Sequence, residues 1–343
     1  MNTSTQITIA GSDLALLIFR SSIGITIAAH GWNKIFGGGR IKGTSRWFQS
    51  IGMKPGTFNA WMAALSEILC GLLLCLGFLT SFAASGVIGI MIVAGWTVHK
   101  NKGFFLLEKF FNKEESNDLK KYARKRLLSD SDKSSVLEKK DKNGKVTLLS
   151  NWNTTLNNDV FSLIARDKRL VSLSRLVLGL EIYIYSHKIT MKKPFQGGAW
   201  EWHQDFGYWH ANGCLEPSML SIWIAIDDSN KSNGCLEVYE QSHKLGRLNH
   251  TRRDEQTCLD EKYLNDIKKR YKHSFIEMKA GDALIFHCNL LHSSSENISD
   301  KHRWGFIASY NKNSNCPSDN KRDYGNFEEL IEVPKGRFMK YIS

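Results

Sequence analysis

The sequence predicts a chain of two parts: about three apolar membrane helices, then a mainly β domain, a double-stranded β-helix (jelly roll) with flanking helices. Three observations predict this. The first third of the 343 residues holds long apolar runs. Beyond residue 171 the pattern changes to short segments rich in β-branched and aromatic residues. These segments also carry histidine and aspartate residues in an arrangement typical of an open metal site. We place the boundary between residues 1–112 and 113–343.

The apolar runs cover residues 14–35, 60–82 and 83–98. Each is near the roughly 20 residues that a helix needs to cross a bilayer. Arg20, His30 and Glu67 interrupt them, and ionisable residues at membrane depth usually face the interior of a helix bundle. The alternative is a soluble three-helix core. A cleaved signal peptide is disfavoured, because the N-terminal tail has no Lys or Arg and two further apolar runs follow.

Basic residues flank the apolar runs unequally. They lie at the end of the first run, between the first two runs and after the third, at Lys34, Arg40, Lys42, Arg46, Lys54, Lys100, Lys102 and Lys109. By the positive-inside rule, the N-terminus is expected outside and the C-terminal domain in the cytoplasm. The net charge of +12 is explained by contact with anionic lipid head groups, and no nucleic-acid partner is expected.

The larger domain begins with a predicted amphipathic helix over residues 113–128. Residues 129–145 form a polar surface loop or hairpin with a turn at Asn143-Gly144. Six strands are then predicted in the segments LEIYIYSHKITM, SMLSIWIAIDD, GCLEVYEQ, HSFIEMKA, DALIFHC and RWGFIASY. The Asn233-Gly234 pair is expected to join the second and third of these strands as a hairpin. The seven cysteines contain no C-x-x-C spacing, so neither a disulfide framework nor a zinc ribbon is expected.

Four residues predict an iron site. His203 and Asp205 stand two apart in EWHQDFGYW, and His292 lies far downstream, with Arg303 eleven residues after it. Residues i and i+2 of a strand point to one side, so the first pair can reach one ion while Gln204 points away. Two imidazoles and one carboxylate are the facial ligand set of non-haem iron oxygenases. Arg303 offers a planar fork of donors for a carboxylate.

From about residue 103 onwards the chain resembles the phytanoyl-CoA dioxygenase family. The shared motifs, in order, are WHQD, the strand and turn in SIWIAIDDSNKSNGCLEVYEQSH, GDALIFHCNLLH, and the arginine that follows. The stretch KPFQGGAWEWHQDFGYWHANG is similar to the ectoine hydroxylase branch. A metal-free sandwich with core histidines is the alternative to an intact iron site.

The resemblance implies a reaction, its cofactors and further site residues. It implies Fe(II) held by His203, Asp205 and His292, 2-oxoglutarate as cosubstrate, O2, and ascorbate as reductant. The presence of Asp205 favours hydroxylation over halogenation. Its cosubstrate positions match Arg303, Lys188, Thr190, Trp223 and Ser294. Trp209 is the candidate to touch the substrate, whereas His210 and His287 are read as packing residues outside the ligand set.

The N-terminal part resembles the DoxX family of small membrane proteins. The motifs are LLIFRSSIG, AHGWNKIFGG, GTSRWFQSIGM, the Glu67 of LSEILCGLLLCLG, and VHKNKGFF. Members of that family normally continue into a fourth membrane helix, whereas this chain runs directly into the second domain. Oligomerisation through the membrane helices is compatible with this segment.

Two functions remain open on the sequence. One is a membrane-tethered hydroxylase of a small molecule or a lipid, with residues 244–277 as a candidate lid that sets the choice of substrate. The other is a membrane scaffold or redox-partner protein whose jelly roll is a non-catalytic binding module. Arg20, His30 and Glu67 motivate the second.

Overall fold

The computed structural model describes residues 3–50, 53–94, 102–128, 136–152, 159–253, 255–317 and 329–342. The chain divides into two compact units, Met1–Asn101 and Lys102–Ser343. The predicted boundary after residue 112 falls inside the second unit. The reason is that Phe104–Leu107 form a strand, β1, of the larger unit's sheet.

The first unit consists of helices α1 (Thr3–Phe36), α2 (Arg40–Ser50), α3 (Gly56–Leu76) and α4 (Thr80–Ala94). Among the described residues, α1 and α3 are long and apolar enough to cross a membrane, and α4 is a shorter apolar helix. The basic residues Arg40, Lys42 and Arg46, between the first two runs, lie in α2. The break before the last helix comes at Gly77, earlier than the predicted break after residue 82, because left-handed Gly77 ends α3. Residues 95–98 of the third run lie outside the described residues.

Helices α1 and α3 pack through small residues. A Cβ added to Gly71 would lie 2.5 Å from the carbonyl oxygen of Gly24, and one added to Gly31 would lie 2.5 Å from that of Ala64. Such residues let two helix backbones approach closely. On the same interface, Lys34 Nζ donates to Glu67 Oε1 at 2.7 Å. Glu67 therefore has a partner within its own unit.

The second unit contains a seven-stranded antiparallel sheet in the order β1-β11-β6-β13-β4-β3-β2. Its strands are β1, β2 (Val136–Lys140), β3 (Val146–Trp152), β4 (Ile182–Lys192), β6 (Met219–Ala225), β11 (Ala283–His287) and β13 (Arg303–Lys312). Helices α5 (Lys113–Leu128), α6 (Val160–Ala165) and α7 (Lys168–Leu178) share one apolar core with this sheet. That core covers one face of the sheet.

A four-stranded sheet lies against the other face, in the order β10-β7-β12-β5. Its strands are β5 (Trp200–His203), β7 (Leu236–Tyr239), β10 (His273–Ile276) and β12 (His292–Ser294). A hairpin, β8 (His250–Arg253) and β9 (Gln256–Leu259), and helices α8 (Asp205–Ala211) and α9 (Glu261–Arg270) complete the unit. Trp223 and Phe286 of the large sheet pack with Leu236 and Val238 of the small one.

All six predicted strands and the helix over residues 113–128 are confirmed. The predicted hairpin at Asn233-Gly234 is wrong. Gly234 does adopt the positive φ of a turn, but β6 belongs to the large sheet and β7 to the small one. The turn therefore carries the chain from one sheet to the other.

Candidate active site

Three side chains converge between the two sheets. His203 ends β5 and lies directly opposite His292 in β12, while Asp205 begins α8. Asp205 Oδ1 lies 3.7 Å from His203 Nε2 and 3.8 Å from His292 Nε2. All three ligand atoms lie within 4.8 Å of one another. This is the spacing of groups that can share one ion.

Hydrogen bonds to the backbone orient both imidazoles. His203 Nδ1 lies 2.7 Å from the carbonyl oxygen of Glu201, and His292 Nδ1 lies 2.9 Å from that of Leu290. Since a carbonyl only accepts, each Nδ1 carries the proton and each Nε2 keeps its lone pair. Burial, reinforced by the neighbouring His292, holds the pKa of His203 well below its usual value. Both facts favour the neutral, metal-binding form.

A pair of serines orients the carboxylate. Ser221 Oγ donates to Asp205 Oδ2 at 2.8 Å and lies 3.0 Å from Ser309 Oγ. Both serines are buried on adjacent strands of the large sheet. This leaves Asp205 Oδ1 facing the two imidazoles.

Gln204, between two of the converging residues, faces the other way. The prediction that Asp205 lies in a strand is wrong, since it is the first residue of α8. The predicted alternation nevertheless holds, because Gln204 is extended, with φ −110° and ψ 134°. Its buried amide donates at 2.8 Å to the carbonyl oxygens of Gly246 and Asn289.

A cavity of about 430 Å³ opens beside the triad. Every residue predicted for the site lines it, namely His203, Asp205, His292, Arg303, Lys188, Thr190, Trp223, Ser294 and Trp209. Within the described part of the chain, neither His210 nor His287 belongs to the cluster of converging ligand atoms.

Arg303 forms one end of the cavity. Its Nε donates to the carbonyl oxygen of Gly234 at 2.9 Å, and one terminal nitrogen lies 3.4 Å from Thr190 Oγ1. The guanidinium lies 5.1 Å from the ring of Trp223. Gly305 makes room for that ring, because a Cβ there would be 2.1 Å from an indole carbon. Burial lowers the pKa of Arg303 to about 10, so it remains a cation at neutral pH.

Lys192 is a lining residue that the sequence analysis missed. It is the strand partner of Arg303 and is 1 % exposed. Its Nζ donates to Ser294 Oγ at 2.8 Å and to the backbone carbonyl oxygens of Ser294 and Ser295. Burial first, and then Arg303, hold its pKa well below the usual value. The signal was present, since every second residue of β4 from Lys188 onwards faces the cavity.

Aromatic side chains and the β8–β9 hairpin also line the cavity. The rings of Trp209 and Tyr185 are 5.2 Å apart, and Tyr208 meets His203 edge-on at 5.5 Å. Tyr208 also donates to the carbonyl oxygen of Thr257 at 2.7 Å. The hairpin contributes Arg252, Glu255, Gln256 and Thr257. Part of the segment 244–277 thus borders the cavity, while its role as a lid stays a prediction.

Comparison with protein families assigns both parts of the chain. The model of phytanoyl-CoA dioxygenase (PhyH) matches residues 99–305. The chain belongs to the phytanoyl-CoA dioxygenase family. The DoxX model matches residues 15–100. Both predicted resemblances are confirmed, and membership makes the chain a dioxygenase-family enzyme.

Two relatives illustrate the family branch. L-proline trans-4-hydroxylase of Streptomyces griseoviridis is 32% identical over 177 residues, which cover 47% of this chain and 66% of that protein. Ectoine dioxygenase of Bordetella parapertussis is 29% identical over 230 residues, 63% of this chain and 74% of that protein. The chain thus spans about two thirds of the first relative's length and three quarters of the second's.

Solved structures share the fold. EctD of S. alaskensis with bound Fe superimposes with a TM-score of 0.58 at 24% identity, covering 71% of this chain and 86% of that one. The epimerase SnoN from nogalamycin biosynthesis, in complex with Fe3+, alpha ketoglutarate and nogalamycin RO, superimposes with a TM-score of 0.54 at 17% identity. The match covers 69% of this chain and 94% of that one. The helical region is therefore followed by a sheet-rich domain of this known fold.

Proposed function

We propose that the chain is a membrane-tethered Fe(II)/2-oxoglutarate-dependent hydroxylase whose jelly-roll domain acts on a small molecule. The observation that carries this proposal is the convergence of His203, Asp205 and His292, with both Nε2 lone pairs and one carboxylate oxygen directed at a common point. A core histidine pair without a metal would not need a carboxylate there.

The donor set fits iron. Two neutral imidazoles and a carboxylate on one face of an ion leave positions for other ligands, the arrangement of non-haem Fe(II) oxygenases. Iron bound here would supply the activation of O2 that is coupled to oxidation of the keto acid. The protein orients these ligands through Glu201, Leu290 and Ser221, whose hydrogen bonds fix the tautomers and the free oxygen.

The cationic end of the cavity fits the far carboxylate of 2-oxoglutarate. Arg303 and Lys192 are adjacent and buried, and their hydrogen-bond acceptors are neutral oxygens. A dicarboxylate would supply the negative charge that balances them. Structures of EctD with 2-oxoglutarate and 5-hydroxyectoine, and of SnoN with alpha ketoglutarate, support this choice of cosubstrate.

The rest of the cavity suits a polar substrate of metabolite size. Cosubstrate and substrate share about 430 Å³, which leaves little room for a long acyl chain. Arg252 of the β8–β9 hairpin is a charged lining residue as well. The named relatives act on L-proline and ectoine. In this proposal Trp209 is a wall of the substrate pocket, and Tyr208 with the β8–β9 hairpin limits water at the metal.

The tether is the helical unit. We propose that it crosses the membrane several times, with the second unit in the cytoplasm. The basic residues that flank the apolar runs support this orientation. Reporter fusions at both termini test it: the reporter after Ser343 should be active only in its cytoplasmic form. Activity on the far side would refute the orientation.

Turnover tests the catalytic proposal. The full chain in nanodiscs, given Fe(II), ascorbate and 2-oxoglutarate under air, should release succinate slowly even without its substrate. Omitting Fe(II) or adding a chelator should stop this release. If the protein binds no Fe(II) under anaerobic conditions and forms no succinate, the catalytic proposal fails.

The scaffold hypothesis predicts that Glu67 matters for function and that the iron site does not. It requires a membrane phenotype that Glu67→Ala impairs and Asp205→Ala leaves intact. The Lys34–Glu67 ion pair gives Glu67 a structural role, which removes part of the motivation for that hypothesis.

A further inference from the structure

One end of the large sheet carries exposed apolar side chains. Leu176, Val177 and Leu180 lie at and just after the C-terminal end of α7 and are 82%, 61% and 81% exposed. Leu215, in the loop before β6, is 76% exposed. These four residues are named here the apolar corner. The buried side of α7 uses other residues, Leu170, Val171, Ser174 and Leu178, so the core does not require apolar residues at the corner.

Backbone hydrogen bonds place Leu180 and Leu215 at the same end of the sheet. Asn313, just after β13, donates to the carbonyl oxygen of Glu181 at 3.0 Å. The backbone N–H of Glu216 donates to Asn315 Oδ1 at 2.8 Å. Glu181 and Glu216, which follow Leu180 and Leu215 in the chain, are thus both hydrogen-bonded to the segment that follows β13.

The chain comes into the second unit at this same end. His287 donates to the carbonyl oxygen of Gly103 at 3.0 Å, at the end of β11 where β1 begins. From there, strand register leads across the sheet: His287 lies opposite Leu220 at the start of β6, and Met219 lies opposite Asn311 at the end of β13. Lys312 then lies opposite Ile182 at the start of β4. In the chain, only residues 95–101 separate α4 from Lys102.

We propose that the apolar corner inserts into the interface of the phospholipid bilayer that the helical unit spans. This rests on the proposed membrane tether, and it adds a second membrane contact that orients the oxygenase unit. Exposed clusters of large apolar side chains mark surfaces that something else covers. Here the sheet end that carries them is also the end that receives the chain from the apolar helices.

Charges near the corner indicate the kind of lipid. Glu181 and Glu216 adjoin Leu180 and Leu215, and Arg175 is paired with Glu332 at 2.8 Å. Lys102 and Lys312 also lie at this end and form no ion pair within the described residues, but binding of anionic head groups by charge takes a cluster of about four to eight basic residues. Insertion is therefore driven by apolar burial, and neutral phosphatidylcholine suffices.

The opposite end of the same sheet provides a matched control. Ile298 is 65% exposed and lies near Arg303, at the far end of β13 from Lys312. The ten residues of β13 separate the two ends by roughly 33 Å. A photo-crosslinking residue is therefore solvent-exposed at either position, but in the proposed orientation only position 180 lies close to the membrane.

The experiment places p-benzoylphenylalanine at position 180 or 298 of the full chain in phosphatidylcholine nanodiscs with a fluorescent phosphatidylcholine. Irradiation should give at least about tenfold more lipid adduct at 180 than at 298. Changing the two other corner residues, by Leu176→Ser with Leu215→Ser, should lower the adduct at 180 by about tenfold, since burying each leucine favours insertion. Raising the salt concentration should change it little.

Equal labelling at the two positions, or a protein adduct instead of a lipid adduct at 180, would overturn the proposal. Alkaline extraction of the same membranes tests the tether independently. A chain that resists extraction but gives no lipid adduct at 180 keeps its tether and loses the corner contact. Succinate release is a further separate readout, because the corner residues lie outside the cavity.

Discussion

Buried charge is handled differently in the two units of the chain. In the helical unit, Glu67 is largely buried and accepts from Lys34 at 2.7 Å. In the oxygenase unit, Arg303 and Lys192 are both buried as well. Among the described residues, no carboxylate lies within ion-pair distance of either, and their acceptors are neutral oxygens.

The difference separates charges that the fold satisfies from charges that a ligand must satisfy. An isolated buried charge is costly, and an internal partner offsets that cost. Glu67 has such a partner in Lys34. Arg303 lacks one among the described residues, and in the proposed function a bound dicarboxylate supplies it. Changes in the oxygenase unit should therefore affect binding and turnover, and changes at Glu67 should affect stability.

The largest effect is expected at the metal ligands. His292→Ala removes one of three donors, so Fe(II) binding and succinate release should fall to the background of the metal-free protein. Anaerobic Fe(II) titration and a succinate assay measure this.

The matched control is His210→Ala, which removes an imidazole outside the ligand cluster. It should keep Fe(II) binding and turnover near the wild-type level. If the two variants behave alike, the triad does not form the metal site.

Arg303→Gln should give the next largest effect. It removes the charged fork while keeping a polar side chain, and the KM for 2-oxoglutarate should rise roughly a hundredfold, as expected for loss of one partner of a buried charge pair. Fe(II) affinity should change much less. Initial rates at varied 2-oxoglutarate measure both parameters.

Arg175→Gln is the matched arginine control, since Arg175 pairs with Glu332 on the surface. Its KM should stay unchanged. An unchanged KM in Arg303→Gln as well would show that the cationic end does not bind the cosubstrate.

Ser221→Ala should have a moderate effect. It removes the donor to Asp205 Oδ2 and leaves the three ligands in place. Loss of a hydrogen bond that orients a metal ligand typically weakens metal affinity by about tenfold to a hundredfold. Fe(II) titration should show a weaker but saturable site. Unchanged affinity would mean that Asp205 is oriented by its backbone alone.

Glu67→Gln should leave turnover almost unchanged. It strands the Lys34 charge at a partly buried position, so the helical unit should lose about 1–3 kcal/mol of stability. Thermal unfolding in nanodiscs measures the loss. Adding Lys34→Met should recover part of it. A strong loss of succinate release with normal stability would contradict the division drawn between the two units.

Much of the candidate site can be predicted from short sequence patterns. His203, Asp205 and His292 were assigned from residue type, spacing and family motifs, and the structure brings them within 4.8 Å of one another. The sequence analysis does not assign Lys192 to the site. Its burial depends on the pairing of β4 with β13 and on the serines of β12, which are distant in sequence.

By itself, the sequence determined the apolar helices, the six strands of the second unit and the residue types of its candidate metal site. Those features follow from periodicity and side-chain chemistry within short windows. Only the tertiary structure decided that β6 and β7 lie in different sheets, that Asp205 begins a helix, and that Glu67 meets Lys34. The physical reason is that backbone groups and charged side chains take their hydrogen-bond partners from segments that are distant in sequence. A short stretch of sequence does not contain those partners.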